Sequence, residues 1–182
     1  MFSNLRPAVV MIVFFTLLTG LAYPLAMTGV ASVAFPDQAS GSLVTRDGVV
    51  VGSSLIGQLF ESTRYFHGRP SAVNYDASTS SGSNYGPSSK ALLDQVTARA
   101  AAFGGANVPA DLVTASGSGL DPDLSPAGAR AQIARVAAAR GLAEPDVTAL
   151  VDRQTEGRAL AILGEPRVNV LELNLALDQL KP

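Results

Sequence analysis

Residues 7–36 read PAVVMIVFFTLLTGLAYPLAMTGVASVAFP, thirty consecutive positions without a charge, bracketed by Arg6 and Asp37. Wound as an α-helix, such a stretch rises about 45 Å against a hydrocarbon core of roughly 30 Å, so it is long enough for one membrane span. A cleaved signal peptide competes with that reading. Arg6 would be its basic end, residues 8–18 its apolar stretch, and Gly20-Leu21-Ala22 or Ser32-Val33-Ala34 its cleavage point. Apolarity continues through Leu25, Met27, Val30, Val33 and Phe35, beyond the point where a signal peptide turns polar, and this favours an anchor. Both readings export the remainder. Arg6 is the only basic flank, which predicts residues 1–6 in the cytoplasm, a span over 7–35 and a soluble domain over 36–182 on the far, periplasmic side. Ala22, Ala26, Gly29 and Val33 recur at helical spacing and form a stripe along which a second helix can approach closely. Pro24 lacks a backbone donor and is expected to kink the span.

The whole chain has 182 residues, with 13 Lys plus Arg against 15 Asp plus Glu, a net charge of −2. A surface so close to neutral has no surplus of cations to displace phosphate counterions, and nucleic acid is not an expected partner. Cysteine is absent and His67 is the only histidine. Disulfides, thiolate metal sites, a cysteine nucleophile and multi-histidine zinc patterns are thereby excluded.

Beyond Asp37 the apolar residues come in short groups separated by Gly, Pro and Ser, without an internal repeat, and an α+β domain is expected behind the single N-terminal transmembrane helix. Leu43-Val44 and Val49-Val50-Val51 flank Asp47-Gly48, a hairpin signature. Residues 55–60 fit a short helix or strand, and 74–89 have the composition of a loop. Pro87 fits the first turn of a helix whose apolar stripe is Leu92, Val96, Ala100 and Phe103, ending at Gly104-Gly105. Residues 112–115 are a candidate strand. Ser125-Pro126 reads as an N-cap followed by proline at the first helical position, with Ala129, Ile133, Val136 and Ala137 inward and Gly141 as the stop. A short helix is expected over 146–154, with Val147, Leu150 and Val151 inward. At the C-terminal end, 160–163 is assigned to a strand and 170–180 to a helix opened by a capping box of Asn169 and Glu172.

No catalytic template is complete. There is no serine with Gly two positions before and after it, no Ser-Lys pair at the hydrolase spacing, no GxxxxGK[ST] and no GxGxxG. No catalytic residue and no metal ligand is assigned, and His67 reads as a structural or surface residue. Two loops are rich in Gly and Ser: Ser80-Ser81-Gly82-Ser83-Asn84-Tyr85-Gly86-Pro87-Ser88 and Thr114-Ala115-Ser116-Gly117-Ser118-Gly119-Leu120-Asp121-Pro122. Their amides can form an anion nest, or the loops can be plain connectors. Arg153, Glu156, Arg158, Glu165 and Arg167 alternate in sign, as either a contact surface or a solvated ion-paired face.

At these segments the chain resembles the C subunit family of the bacterial Kdp potassium-transporting ATPase. The likeness runs in order through Leu18-Thr19-Gly20, Tyr23-Pro24, Thr28-Gly29, Phe35-Pro36, Gly41-Ser42-Leu43, Val51-Gly52-Ser53 and Ile56-Gly57-Gln58. It continues in Tyr65-Phe66, Gly68-Arg69-Pro70-Ser71, Gly82-Ser83-Asn84, Gly86-Pro87-Ser88, residues 111–122, Arg135-Val136-Ala137, Ala139-Arg140-Gly141, Thr155-Glu156-Gly157-Arg158 and residues 163–171. Ser81, Tyr85, Ser89 and Asp123-Leu124 depart from the family pattern, which has Gly, Leu, Asn and His-Ile there.

The resemblance implies an uncleaved single-span subunit of a bacterial inner-membrane potassium-uptake complex. Its partners would be a channel-like potassium-binding subunit, a P-type ATPase subunit and a small fourth subunit, alongside the lipid bilayer. The subunit would hold no cofactor of its own, ATP, Mg2+ and K+ being handled by the partners. The family is credited with raising the pump subunit's affinity for ATP, for which Ser81, Gly82, Ser83 and Asn84 are the candidate nucleotide-binding residues. The expected orientation puts that loop across the membrane from a cytoplasmic ATP site. Candidate partner contacts are Ala22, Ala26 and Gly29 in the span and Asn84, Gly86, Pro87, Glu165 and Arg167 beyond it. The competing reading is an exported ligand-binding protein or hydrolase with a cleaved signal peptide.

Overall fold

The computed structural model describes residues 2–180. Met1 of the expected cytoplasmic end and Lys181 and Pro182 of the expected soluble domain lie outside the described residues. The chain divides into two compact units, one ending at Val51 and one beginning at Gly52.

In the first unit one helix, α1 (Leu5–Ala34), takes up the apolar stretch for 30 residues, and none of its residues is buried. It passes without interruption through both positions where a signal peptide could be cut. Proline is accommodated inside it by a local change of pitch. From Leu18 to Ala22 the helix widens to π geometry, with the Tyr23 amide donating to the Leu18 carbonyl. Pro24 cannot bond the carbonyl one turn back and its ring crowds it, and the wider turn relieves both problems. The Thr19 hydroxyl donates to the Phe15 carbonyl at 2.6 Å, using a side chain to satisfy backbone that water cannot reach in a bilayer. A short turn, α2 (Pro36–Ala39), leads to β1 (Leu43–Arg46) and β2 (Val49–Ser53), the expected hairpin. Asp47 and Gly48 both take positive φ, 53° and 78°, the pair of conformations that a tight two-residue hairpin requires.

The second unit contains α3 (Lys90–Ala101), α4 (Ala110–Val113), β3 (Asp123–Leu124), α5 (Pro126–Arg130), α6 (Ile133–Arg140), α7 (Glu144–Arg153), β4 (Thr155–Glu156), β5 (Arg167–Asn169) and α8 (Val170–Leu177). Three short antiparallel strands in the order β3-β5-β4 form its sheet, with Leu124 opposite Val168 and Glu156 opposite Arg167. The mixed helix and sheet content is the α+β class expected. Phe66, Leu124, Val136, Val147, Val151, Val168, Leu173 and Leu177 form the centre of the core, all essentially inaccessible to solvent.

Helix ends follow the capping signals. The Ser125 hydroxyl accepts from the Gly128 amide at 2.9 Å, the Asn169 side chain accepts from the Glu172 amide at 3.1 Å, and Gly141 ends α6 at φ 69°. Ala129, Ile133, Val136, Ala137, Val147, Leu150 and Val151 are buried as their spacing predicts.

Five local expectations are corrected. Residues 55–60 form neither helix nor strand, because their backbone is used in tertiary contact: the Gly57 amide donates to the Leu120 carbonyl at 2.9 Å, and a Cβ at Gly57 would strike the Asp121 carbonyl. The candidate strand at 112–115 is the end of α4, a single helical turn closed by the Thr114 hydroxyl on the Ala110 carbonyl at 2.6 Å. Pro87 lies in a turn closed by Ser89 on Gly86, and α3 starts only at Lys90. The helix expected to run to Gly141 is broken at Ala131 and Gln132, where the Gln132 side chain turns into the core. The strand expected at 160–163 is an exposed turn with Leu160 and Ala161 at positive φ, because the backbone closes on itself, the Ala159 and Leu163 amides each donating to the other's carbonyl at 2.9 Å.

The core is threaded by an irregular segment, Phe66 and His67, whose backbone groups need partners that no helix or ladder supplies. Two buried carboxamides supply them. Asn174 on α8 accepts from the Phe66 amide at 2.8 Å and donates to its carbonyl at 2.9 Å. Gln132 accepts from the His67 amide at 2.9 Å and donates to its carbonyl at 3.0 Å. The His67 ring donates from Nε2 to the Ser62 carbonyl at 3.0 Å. Burial holds its pKa below the ordinary 6.5, the Ser62 bond opposes this, and the Arg135 charge adds to the lowering.

Asn174→Leu keeps the volume but leaves both Phe66 groups buried and unpaired, at an expected cost of roughly 2–4 kcal/mol. Gln132→Leu should behave alike, whereas Lys90→Ala, on an exposed ion pair, should change stability by less than about 0.5 kcal/mol. Denaturant unfolding of the full chain in micelles, with hydrogen exchange at the Phe66 and His67 amides, measures both. For His67 the unfolded state binds the proton more readily than the folded state, so its share of stability is lost as pH falls below about 6.5. His67→Gln should flatten the pH dependence of unfolding in that window.

Candidate functional site

The two Gly/Ser loops of the sequence run beside each other in the second unit. The Ser81 amide donates to the Ser118 carbonyl at 3.0 Å, and the Ser80 hydroxyl reaches the same carbonyl at 3.2 Å. Gly82 lies flat against Gly117, where a Cβ would stand 2.9 Å from the Gly117 carbonyl oxygen. Gly119, at φ 69°, packs under Val73 and Ser81. The glycines here serve close approach of one backbone to another. Ser71 ties the pair to its surroundings, donating to the Gly119 carbonyl at 2.7 Å and accepting from the Val73 and Tyr75 amides.

Beneath the loops, Arg69 and Asp121 form an ion pair at 2.9 Å, and the Tyr75 hydroxyl donates to the Arg69 carbonyl at 2.6 Å. Burial and the Asp121 charge push the Tyr75 hydroxyl up to about 12, against the opposing Arg69 charge, so it serves as a neutral donor. A surface cavity of about 210 Å³ opens beside this group, lined by Leu59, Phe60, His67, Arg69 and Tyr75 among others. His67 contributes its ring to that wall with Nε2 committed to Ser62.

Of the candidate nucleotide-binding residues, Ser81, Gly82 and Ser83 are half-buried, with the Ser81 amide engaged, and Asn84 stands exposed at φ 53°. Gly86 and Pro87 continue that exposed edge, and a Cβ at Gly86 would meet open space. Glu165 and Arg167 fall in different arrangements. Glu165 closes the base of the 158–165 turn by pairing with Arg158 at 2.7 Å. Arg167 sits on the middle strand β5 and bridges both neighbours, at 2.8 Å to Glu156 on β4 and 3.3 Å to Asp123 on β3. Burial raises the Asp123 pKa, Arg167 opposes this, and Asp121, Glu156 and Glu172 add to it. Of the alternating charges of the sequence, Glu156 and Arg167 thus form a cross-strand ion pair, and Arg158 and Glu165 pair across a turn.

In α1 the stripe of Ala22, Ala26 and Gly29 starts on the last residue of the π turn and continues at helical spacing along the regular helix that follows. A Cβ at Gly29 meets nothing within 4 Å, leaving that face flat.

Sequence reading passed over Arg69, Tyr75, Asp121, Asp111, Gln132 and Asn174. Asp111 is the second tie of the α5 cap, accepting from the Ser125 amide at 2.7 Å with its carboxylate against Gly128. The usable signal for Gln132 and Asn174 was an amide at a position where helical spacing asks for an apolar residue, since a buried amide needs a specific partner.

Residues 5–179 match the family model of the K+-transporting ATPase c chain. The potassium-transporting ATPase KdpC subunit of Caulobacter vibrioides (strain NA1000 / CB15N) is 59% identical over 189 residues, covering 100% of this chain and 96% of that protein. The corresponding subunit of Sorangium cellulosum (strain So ce56) is 58% identical over 187 residues, and that of Rhodopseudomonas palustris (strain BisB5) 55% over 196, each covering 98% of both chains. With the apolar span, the loops and the C-terminal helix all inside one end-to-end match, the chain belongs to the family of the c chain of the K+-transporting ATPase.

Proposed function

We propose that the chain is a non-catalytic accessory subunit of an ATP-driven potassium-uptake pump in the bacterial inner membrane. It holds together the channel-like potassium-binding subunit, the P-type ATPase subunit and a small fourth subunit, and those partners handle K+, ATP and Mg2+. The observation that carries this reading is α1: thirty mostly apolar residues with none buried suit a medium of lipid and neighbouring helices, in a chain of a pump-subunit family. Ala22, Ala26 and Gly29 are the face that a neighbouring helix meets. Asn84, Gly86, Pro87, Glu165 and Arg167 are the contacts beyond the span, the first four on exposed loops and turns and Arg167 at the start of strand β5.

The orientation follows from Arg6, which keeps the amino terminus cytoplasmic and places the rest in the periplasm. An effect on the pump's affinity for ATP is then indirect. The subunit favours one arrangement of its partners, and the coupling is limited to its difference in affinity between their states. Engagement of the Ser81 amide by Ser118 supports a structural role for the Gly/Ser loop over direct phosphate contact.

Gly29→Leu and Ala26→Leu should each lower recovery of the subunit with the detergent-solubilised complex by about tenfold, since a bulky side chain prevents close backbone approach; recovery of both at wild-type yield would place that face against lipid. Because the chain has no cysteine, Ser88→Cys provides a unique and exposed thiol. It should react with an impermeant thiol reagent added outside spheroplasts. Labelling only after the membrane is opened would reverse the orientation.

A further inference from the structure

The β1–β2 hairpin presents a problem that this chain does not solve by itself. Leu43, Val49, Val50 and Val51 are 52%, 65%, 53% and 39% exposed, although leucine and valine are the residues a sheet ordinarily uses to face a core. Successive strand residues alternate between faces, so Val49 and Val51 project to one side and Val50 to the other. Apolar surface is therefore open on both faces, beside Thr45 and Arg46 of β1. Among the described residues the sheet has two strands, and apart from the bridge of Ser53 to Ile56 at the end of β2 each strand has an edge without a neighbouring strand. An isolated two-stranded hairpin is marginal in water, and exposed apolar faces with open edges are what a third element normally covers.

Position in the chain limits what can cover it. Only residues 35–42 separate the end of α1 from β1, and four of them are wound into α2. β1 and β2 as far as Val51 belong to the same compact unit as α1, so this part of the hairpin stays near the end of the span. Hydrocarbon is excluded as the covering medium, because open strand edges would bring unpaired amides and carbonyls into lipid at several kcal/mol each. The hairpin also lacks the Trp and Tyr side chains that settle a segment at the headgroup level. Protein can bury apolar faces and pair an edge at once.

We infer that the β1–β2 hairpin is a docking element that packs its valine faces and a free edge against the membrane-embedded neighbouring subunit beside α1. The surface it fits is apolar and carries an extended segment able to pair with a strand. The inference rests on the reading that α1 stands next to another subunit of the pump, and it continues that contact from the span onto the membrane surface.

The experiment uses the assembled complex in detergent, with single cysteines at Val50 and, as a control, at the exposed Ala77, each carrying a photoactivatable maleimide. Illumination should give a covalent adduct between V50C and a partner subunit, at a yield about tenfold above that of A77C, with the joined partner peptide identified by mass spectrometry. Adducts of V50C with lipid or detergent alone, with a second copy of this chain, or at the control yield would overturn the inference. Val49→Asp with Val51→Asp is the complementary variant: it should abolish the V50C adduct while hydrogen-exchange protection at the Phe66 amide stays unchanged. An unaltered adduct would also overturn the inference. Failure of the α1 reading is separable, since A26L and G29L would then co-purify at wild-type yield whatever the V50C adduct shows.

Discussion

Two buried carboxamides hold the second unit to a single arrangement. Asn174 and Gln132 sit on different elements, and each closes a pair of hydrogen bonds on one of two consecutive residues, Phe66 and His67. An irregular segment in a core is normally excluded because its amides and carbonyls lose water without gaining partners. Here two side chains imitate the missing strands. Phe66 can then sit fully buried, and α8 and the α5–α6 corner are fixed relative to one another through the segment between them. The Arg140 guanidinium works in the same region, pairing with Asp178 at 2.7 Å, bonding the Arg64 carbonyl at 2.7 Å and lying 4.7 Å over the Tyr65 ring. Consecutive residues 64–67 are thus all held by side chains distant in sequence.

That rigidity shapes how the Gly/Ser loops are to be understood. A loop that cradles phosphate keeps its amides open for an anion. In this chain the Ser81 amide and the Gly82 surface are taken up by the second loop, and Arg69 is turned toward Asp121. The exposed remainder at 84–88 is an edge of set shape, suited to contact with another surface.

The first unit obeys a different rule. Along α1 the backbone is helical from end to end, with a local change of pitch and a threonine hydroxyl bond beside Pro24, which suits a bilayer. Side chains there face outward, and stability comes from the surroundings. The hairpin shares that outward disposition, with Val49 and Val50 more than half exposed. The second unit has a self-contained core, which keeps its exposed turns in position.

The sequence by itself determined whatever depends on neighbours along the chain. Thirty uncharged residues specify a span, Asp47-Gly48 a tight hairpin, Ser125-Pro126 and Asn169 helix starts, and Gly141 a helix end, because each signal acts through backbone within a few residues. The inward faces of α6 and α7 were legible for the same reason, as helical spacing fixes them. Only the tertiary structure decided the irregular regions. Residues 55–60 and 112–115 carry strand-like composition, yet their conformation answers to contacts with Leu120, Asp121 and the core; strands β3, β4 and β5 are two or three residues long, too short for alternation to register. The pairing of the two Gly/Ser loops and the clamp on Phe66 and His67 join residues between 37 and 108 positions apart. Composition identifies such residues as polar or small; which partner satisfies each of them is fixed only when the chain has closed around it.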